Sequence, residues 1–258
     1  MTPSPRSRCA WLLLALVALA GSSARAQITE TPQTVAPGKI LFEIDGVRLS
    51  LDRADAAGNK YSAVGVADAI VSVGITSTFD VQAGFGLFHR ETFEFRGLRN
   101  SHSGLGDLSF RMKWTFWRTE QAALAVIPYV KLPINDDGIG NNSIEGGFIV
   151  PWQMSVGAGI VAGAMFQWDH VRNAADDGYD AQWAFTGIVH RELPLGLLVY
   201  AEVLAEASSD KFSHWAGTIG AGARWQITSR VELDYELLRG LNRHATDWTH
   251  VLRVNWGW

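Results

Sequence analysis

Beyond its first 26 residues the chain contains no cysteine, because the single Cys is Cys9. A disulfide framework is therefore excluded, and the fold must find its stability elsewhere. Positive charge is not in excess: 22 Lys and Arg stand against 26 Asp and Glu. The balance becomes more acidic still once Arg6, Arg8 and Arg25 are set aside, so no nucleic-acid partner is expected. No stretch past residue 26 shows the 3.6-residue apolar periodicity and caps of an amphipathic helix. The seven His residues are scattered and no pair has metal-ligand spacing. No Gly-x-Ser-x-Gly is present either, so no metal, cofactor or catalytic group is expected.

What is present begins with "MTPSPRSRCAWLLLALVALAGSSARAQ". Arg6 and Arg8 precede an apolar run from Ala10 to Ala20, and Ala24-Arg25-Ala26 offers an A-x-A cleavage site. The run is too short to span a bilayer, so residues 1–26 read as a cleaved signal peptide. Cys9 precedes the apolar run and is not a lipidation site. Residues 27–39, "QITETPQTVAPGK", read as a periplasmic N-terminal segment that either plugs the interior of the downstream fold or hangs free. No separate plug domain of substantial size precedes the first strand, which argues against energy coupling.

Residues 40–258 alternate with period two. In "GDLSFRMKWTFW" (106–117), Leu108, Phe110, Met112, Trp114 and Phe116 occupy one set, with Ser109, Arg111, Lys113 and Thr115 between them. Wound as a helix, this stretch has aromatics on every side; as a strand it has one apolar and one polar face. The pattern predicts twelve strands, at 40–51, 61–74, 79–94, 107–117, 122–132, 143–151, 155–170, 181–191, 196–207, 214–226, 231–239 and 248–258. Short connections containing residues 76–79, 118–121, 151–154, 192–196 and 228–230 alternate with longer polar ones at 52–59, 96–106, 133–142, 172–180, 208–212 and 241–247. This is the pattern of an all-β, closed antiparallel transmembrane barrel of about twelve strands, with short periplasmic turns and longer external loops. An even strand number leaves both termini on the periplasmic side.

One stretch competes. Ile149 to Trp168 is uncharged for twenty residues and contains Gly159-x-x-x-Gly163, as a transmembrane helix with a dimerisation motif would. Pro151, Gln153 and Ser155 interrupt it, and alternation resumes from Val156, so the strand reading is preferred. Gly157-x-Gly159-x-x-Ala162 lacks the βαβ surroundings of a dinucleotide loop.

A soluble β-sandwich would expose its polar face and bury the apolar one. Here the apolar face carries tryptophans near strand ends: Trp114, Trp117, Trp152, Trp168, Trp183, Trp215, Trp225, Trp248, Trp256 and Trp258. Amphipathic rings suit the two water–lipid boundaries, and closure pairs every backbone group that hydrocarbon would leave unsatisfied. The last strand, "WTHVLRVNWGW", ends on Trp258 and resembles the signal read by the outer-membrane assembly machinery of Gram-negative bacteria. The expected partners are that machinery, outer-membrane lipid and a small solute.

Three segments carry a family resemblance: "GLGDLSFRMKWTFW", "AVIPYVKLPIND" and "EGGFIVPWQMSVGAGIVAG", in this order. They resemble the "MetA-pathway of phenol degradation" family of outer-membrane channels, over a core of roughly residues 80–203. The resemblance implies a membrane barrel and a transport role, some members being encoded among pathways that degrade aromatic compounds.

If the aromatic face meets lipid, the other face lines the lumen. The expected solute pathway is Arg111, Lys113, Lys131, Glu145, Gln167, Asp169, Glu202, Arg224, Glu232, Asp234 and Arg253, joined by Ser109, Gln182, His190, Glu236 and Asn255. Cations of the fourth, fifth, tenth and twelfth strands are expected to face acids of the sixth, ninth and eleventh. They either form a paired network or meet an anionic solute. Val64, Val66 and Ile70 beside Asp68, and Ile127 beside Tyr129, add an apolar component to the wall. A mixed wall fits passive uptake of small, partly apolar and possibly aromatic solutes. The alternatives are a structural barrel without transport and a lipid hydrolase. The hydrolase needs an outward His, for which His89 and His250 are candidates, yet neither has a Ser partner by parity.

Overall fold

The computed structural model describes residues 28–55, 58–134, 139–140, 142–173 and 175–258. Within them lie thirteen strands: β1 (Ile40–Leu51), β2 (Lys60–Thr76), β3 (Phe79–Phe95), β4 (Leu98–Gly104), β5 (Leu108–Arg118), β6 (Ala122–Leu132), β7 (Glu145–Gly157), β8 (Ile160–Arg172), β9 (Tyr179–Leu193), β10 (Leu197–Ser208), β11 (Ala216–Gln226), β12 (Val231–Gly240) and β13 (Trp248–Gly257). Every neighbour pair is antiparallel, and β1 pairs with both β2 and β13, so the sheet closes. Backbone bonds between Ile40 and Trp258 seal the seam, with the Trp258 amide donating over 2.8 Å. The ring holds twelve strands, because β4 pairs only with β3. The protein is a closed twelve-stranded antiparallel barrel with one extra strand.

Alternation decides which side chain meets which medium. In β5, Phe110, Met112, Trp114 and Phe116 are 47%, 49%, 53% and 46% exposed, while Ser109, Arg111, Lys113 and Thr115 are buried. An exposed apolar wall of this extent has no counterpart in a soluble monomer, and it matches the lipid-facing band of a membrane barrel. Aromatic contacts reinforce the wall, as where Phe42 stacks on Trp256 across the β1–β13 seam at 5.4 Å. Phe148 likewise stacks on Trp168 at 5.7 Å between β7 and β8.

Two connections differ from the sequence expectation. Residues 96–106 are not an open loop: β3 turns at Arg96 and Gly97, both at positive φ (50° and 79°), and β4 runs back against it. Two consecutive positive φ values match the twist of the flanking strands, which makes this a hairpin turn. The turn expected at 151–154 lies instead at Ala158–Gly159, where Gly157, Ala158 and Gly159 all have positive φ. Pro151 stands inside β7, paired with Met165 of β8. On the β6 side the ladder skips from Leu124↔Trp152 to Ile127↔Ile149, so the missing proline N–H falls in a gap of the pairing. The twenty-residue apolar stretch is thus a β-hairpin. Short turns at 77–78, 119–121, 158–159, 194–196 and 227–230 lie at one end, and the long connections lie at the other.

Candidate functional site: the barrel lumen

Residues 28–38 run inside the barrel, entering from the short-turn end. The Gly38 amide donates to the Gly74 carbonyl at 2.9 Å, and the Gly74 amide returns a bond to Lys39 at 3.0 Å. The approach is close: a Cβ on Gly74 would lie 2.1 Å from the Ala36 carbonyl oxygen. Further in, the Val35 amide donates to Asp80 at 2.9 Å, Thr115 donates to the Pro32 carbonyl, and Lys113 donates to that of Gln33 at 3.5 Å. The Thr29 amide and hydroxyl both donate to Glu202 at 3.1 Å, and its hydroxyl also meets Thr186 at 2.7 Å. The Glu30 amide packs on Met165 Sδ at 3.4 Å, above an apolar patch of Ile127, Ile149 and Met165 on the inner wall. The sequence leaves open whether residues 27–39 plug the interior or hang free; the described residues 28–33 contact the inner wall.

This segment decides the partners of the two β5 cations. Glu30 forms ion pairs with Arg111 and, at 3.6 Å, with Lys113. Among the described residues, neither cation forms an ion pair with an acid of the sixth, ninth or eleventh predicted strand, which corrects the expected pairing. Elsewhere the pairing is between strands. Lys131 of β6 contacts Glu145 of β7, and Asp107 at 3.4 Å. Asp169 of β8 accepts from Tyr129 and from Gln167. Arg253 of β13 reaches Asp45 at 2.7 Å, Asp234 at 2.9 Å and Glu236 at 3.4 Å, all four groups being buried. Tyr200 adds a hydrogen bond to Asp234 at 2.9 Å. Arg224 bridges Glu232 at 3.4 Å and Asp234 at 3.8 Å. Glu202 faces Thr29 instead of a cation, and His190 pairs with Gln153 at 2.9 Å. Sequence reasoning misses Glu30, Asp45, Asp80 and Asp107. Asp45 and Asp80 lie in alternating strands and are legible by parity, whereas Glu30 lies in a segment with no periodicity.

One parity reading is overturned. In the β2–β3 ladder, Val66↔Phe88 is followed by Asp68↔Gly86, and the skipped Ala67 has φ 56°. Both strands shift face there, and Leu87 and Phe88 are both exposed. His89 consequently points inward, with Nε2 2.7 Å from Asp68 Oδ1, and not toward lipid. Gly65 faces inward, where a Cβ would come 2.8 Å from Asp68, and Val64 lines the cavity beside it, whereas Val66 does not. His250 does lie on the outer face, bonded to the Tyr235 hydroxyl at 2.9 Å.

Above the N-terminal segment, toward the long-loop end, lies a cavity of about 180 Å³. Ile28 lines it together with Leu204, Leu238, Tyr61, Asp68, His89 and the 244–246 loop. At the rim, Arg53 binds Asp247 and holds its carboxyl below the usual carboxylate range, while burial pushes that of Asp52 up.

Solved structures share this architecture at low identity, which bears on the fold alone. The COG4313 outer membrane channel from Pseudomonas putida F1 superposes with a TM-score of 0.69 at 12% identity, over 88% of this chain and 97% of that one. The transport unit of the autotransporter AIDA-I from Escherichia coli gives 0.61 at 9% identity, over 99% of both chains. The NanC porin gives 0.55 at 8% identity, over 83% of this chain and 98% of that one. No curated protein sequence matches this chain. The family model described as "Putative MetA-pathway of phenol degradation" matches residues 23–257, well beyond the 80–203 core that the motifs outline, and the chain belongs to that family.

Proposed function

We propose that this protein is an outer-membrane channel for passive entry of small, partly apolar solutes, and that residues 28–38 close it in the state described. The observation that carries this reading is the contrast between wall and filling. The barrel closes through its own strands, whereas a short segment threads the lumen, held there by side-chain contacts and by backbone bonds only at its Gly38 end. Twelve strands lie between eight-strand barrels filled by side chains and sixteen-strand porins with open channels, so displacing the segment would leave a narrow pathway. Arg111, Lys113, Lys131, Glu145, Gln167, Asp169, Glu202, Arg224, Glu232, Asp234 and Arg253 are the polar members of that pathway, and the Ile127–Ile149–Met165 patch is the apolar one. Export with cleavage before Gln27, and insertion through the strand ending at Trp258, belong to the same proposal. The reading is non-enzymatic: His250, on the outer face, bonds a tyrosine and not a serine.

The test uses purified protein in liposomes. Single-channel conductance, and faster entry of small aromatics than into empty vesicles, are expected, and both should rise when residues 28–38 are deleted. If intact and deleted forms neither conduct nor admit solute, the barrel is structural.

A further inference from the structure

Two arginines at the long-loop end lie over aromatic rings, and they differ in what answers their charge. Arg172 lies 5.4 Å from the centre of the Tyr179 ring and is paired with Asp176 at 2.7 Å. Arg239 lies 5.3 Å from the centre of the ring of Trp248, its ladder partner on β13. Among the described residues no carboxylate lies within ion-pairing distance of Arg239. The acid whose field it shares is Asp247, which Arg53 already holds at 3.3 Å. Two guanidinium groups thus stand over one carboxylate, and one positive charge is left in excess.

That excess charge sits on the wall and not in the lumen. Arg239 shares the outer face of β12 with Tyr235, and its ladder row runs from Ile219 on β11 through Trp248 on β13 to Leu51 on β1. Ile219, Leu51 and the adjoining Leu241 are exposed apolar residues. A lipid-facing arginine costs little only at the water–lipid boundary, which is also where a tryptophan ring belongs. Two residues further along β13, about 6–7 Å deeper, the Tyr235 hydroxyl bonds His250 Nδ1 at 2.9 Å on the same outer face. This leaves Nε2 as the second polar atom of a ring whose ladder neighbours are Leu237 and Leu49. Deeper again the face is apolar, with Leu252, Val254 and Trp256 exposed. From the long-loop end inward the order is cation, polar pair, apolar wall. A phosphorylated lipid presents the complementary order: phosphate, ester or amide linkage, acyl chain.

We infer that the outer face of β12 and β13 is a binding site for a phosphorylated glycolipid of the outer leaflet, with Arg239 and Arg53 on its phosphate and the Tyr235–His250 pair at its acyl linkage. A guanidinium gives phosphate two parallel N–H bonds, and the Trp248 face holds the plane of Arg239 while its edge stays free to donate. The inference rests on the outer-membrane reading above and is independent of whether the barrel conducts.

The experiment counts bound lipid by native mass spectrometry. Delipidated full-length protein in detergent is mixed with lipid A, or with lipid A stripped of its phosphates, and inorganic phosphate is added as a competitor. Folded barrel is verified for each form by its heat-dependent gel mobility. The wild type is expected to hold lipid A about tenfold more tightly than the stripped lipid, the worth of roughly one charge-assisted hydrogen bond. Arg239→Gln combined with Arg53→Gln should abolish that preference while the stripped lipid still binds. Asp247→Asn removes the competing carboxylate and should enlarge the preference, and it decides the matter if the double variant does not fold. Arg172→Gln, which alters the same kind of stack where the charge is already paired, should leave the preference intact. Equal binding of the two lipids, an undiminished preference in the folded double variant, a preference lowered by Asp247→Asn, or displacement of lipid A by equimolar inorganic phosphate would overturn the proposal. If no form takes up either lipid, the membrane reading falls with it.

Discussion

Two cationic centres in the same lumen are held in opposite ways. Arg253 is buried among Asp45, Asp234 and Glu236, three acids contributed by strands on either side of its own. Arg111 and Lys113 sit on one strand and take their counter-charge from Glu30, a residue of the segment threaded through the lumen. The first arrangement links β1, β12 and β13 across the closing seam, so it is part of the wall. The second ties the wall to the threaded segment, which under the channel proposal is the part that leaves. A buried pair contributes little net stability, yet removing one member is costly because the other stays desolvated. The same electrostatics therefore serves as a staple in one place and as a latch in the other.

The strongest way to break the comparison is Arg253→Leu. It removes the guanidinium shared by three buried carboxylates, leaving Asp45 with Arg48 at 3.4 Å and Asp234 with Arg224 at 3.8 Å, and unfolding of the detergent-solubilised barrel in urea should lose about 3–5 kcal/mol. Glu30→Ala should behave differently. Once the segment moves, Arg111 and Lys113 gain water, so unfolding stability falls by about 1 kcal/mol while conductance rises. Equal stability losses in the two variants would remove the distinction between staple and latch.

Gly74→Val sharpens the point without touching charge. Its side chain would occupy the space of the Ala36 carbonyl, so the segment should be displaced and conductance raised as with Glu30→Ala. Wild-type opening should increase with ionic strength as the Glu30 pairs are screened, and Gly74→Val should lose that dependence. The smallest effect belongs to the rim. Arg53 is largely exposed, so Asp247→Asn should leave the urea midpoint near neutral pH almost unchanged. Because the Asp247 carboxyl is held below its usual range, whatever the pair adds is present above that range. It is lost as pH falls through the folded-state value, so variant and wild type should converge in acid.

How much of this is legible in the sequence depends on where alternation runs unbroken. From Leu108 to Phe116 every lumen and lipid position is given by parity, and the Lys131–Glu145 and Arg224–Glu232 pairs join strands that neighbour in sequence. At Ala67 and Leu87 two strands lose a step together, which no pattern in either one announces, and His89 changes face. Pro151 reads as a turn because proline usually stops a strand, but a gap in the β6 ladder accommodates it.

The sequence by itself determined the barrel and, along unbroken strands, which side chains are exposed on its outer wall and which are buried within. Those depend on a two-residue period set by the backbone of each strand, independent of any distant partner. Only the tertiary structure decided that Glu30 answers Arg111 and Lys113, that Thr29 answers Glu202, and that Asp68 and His89 share a pocket cleared by Gly65, Gly86 and Gly106. Those contacts join residues from an aperiodic segment or across bulged strands. Their specificity lies in closure of the ring, which brings together groups that no local pattern relates.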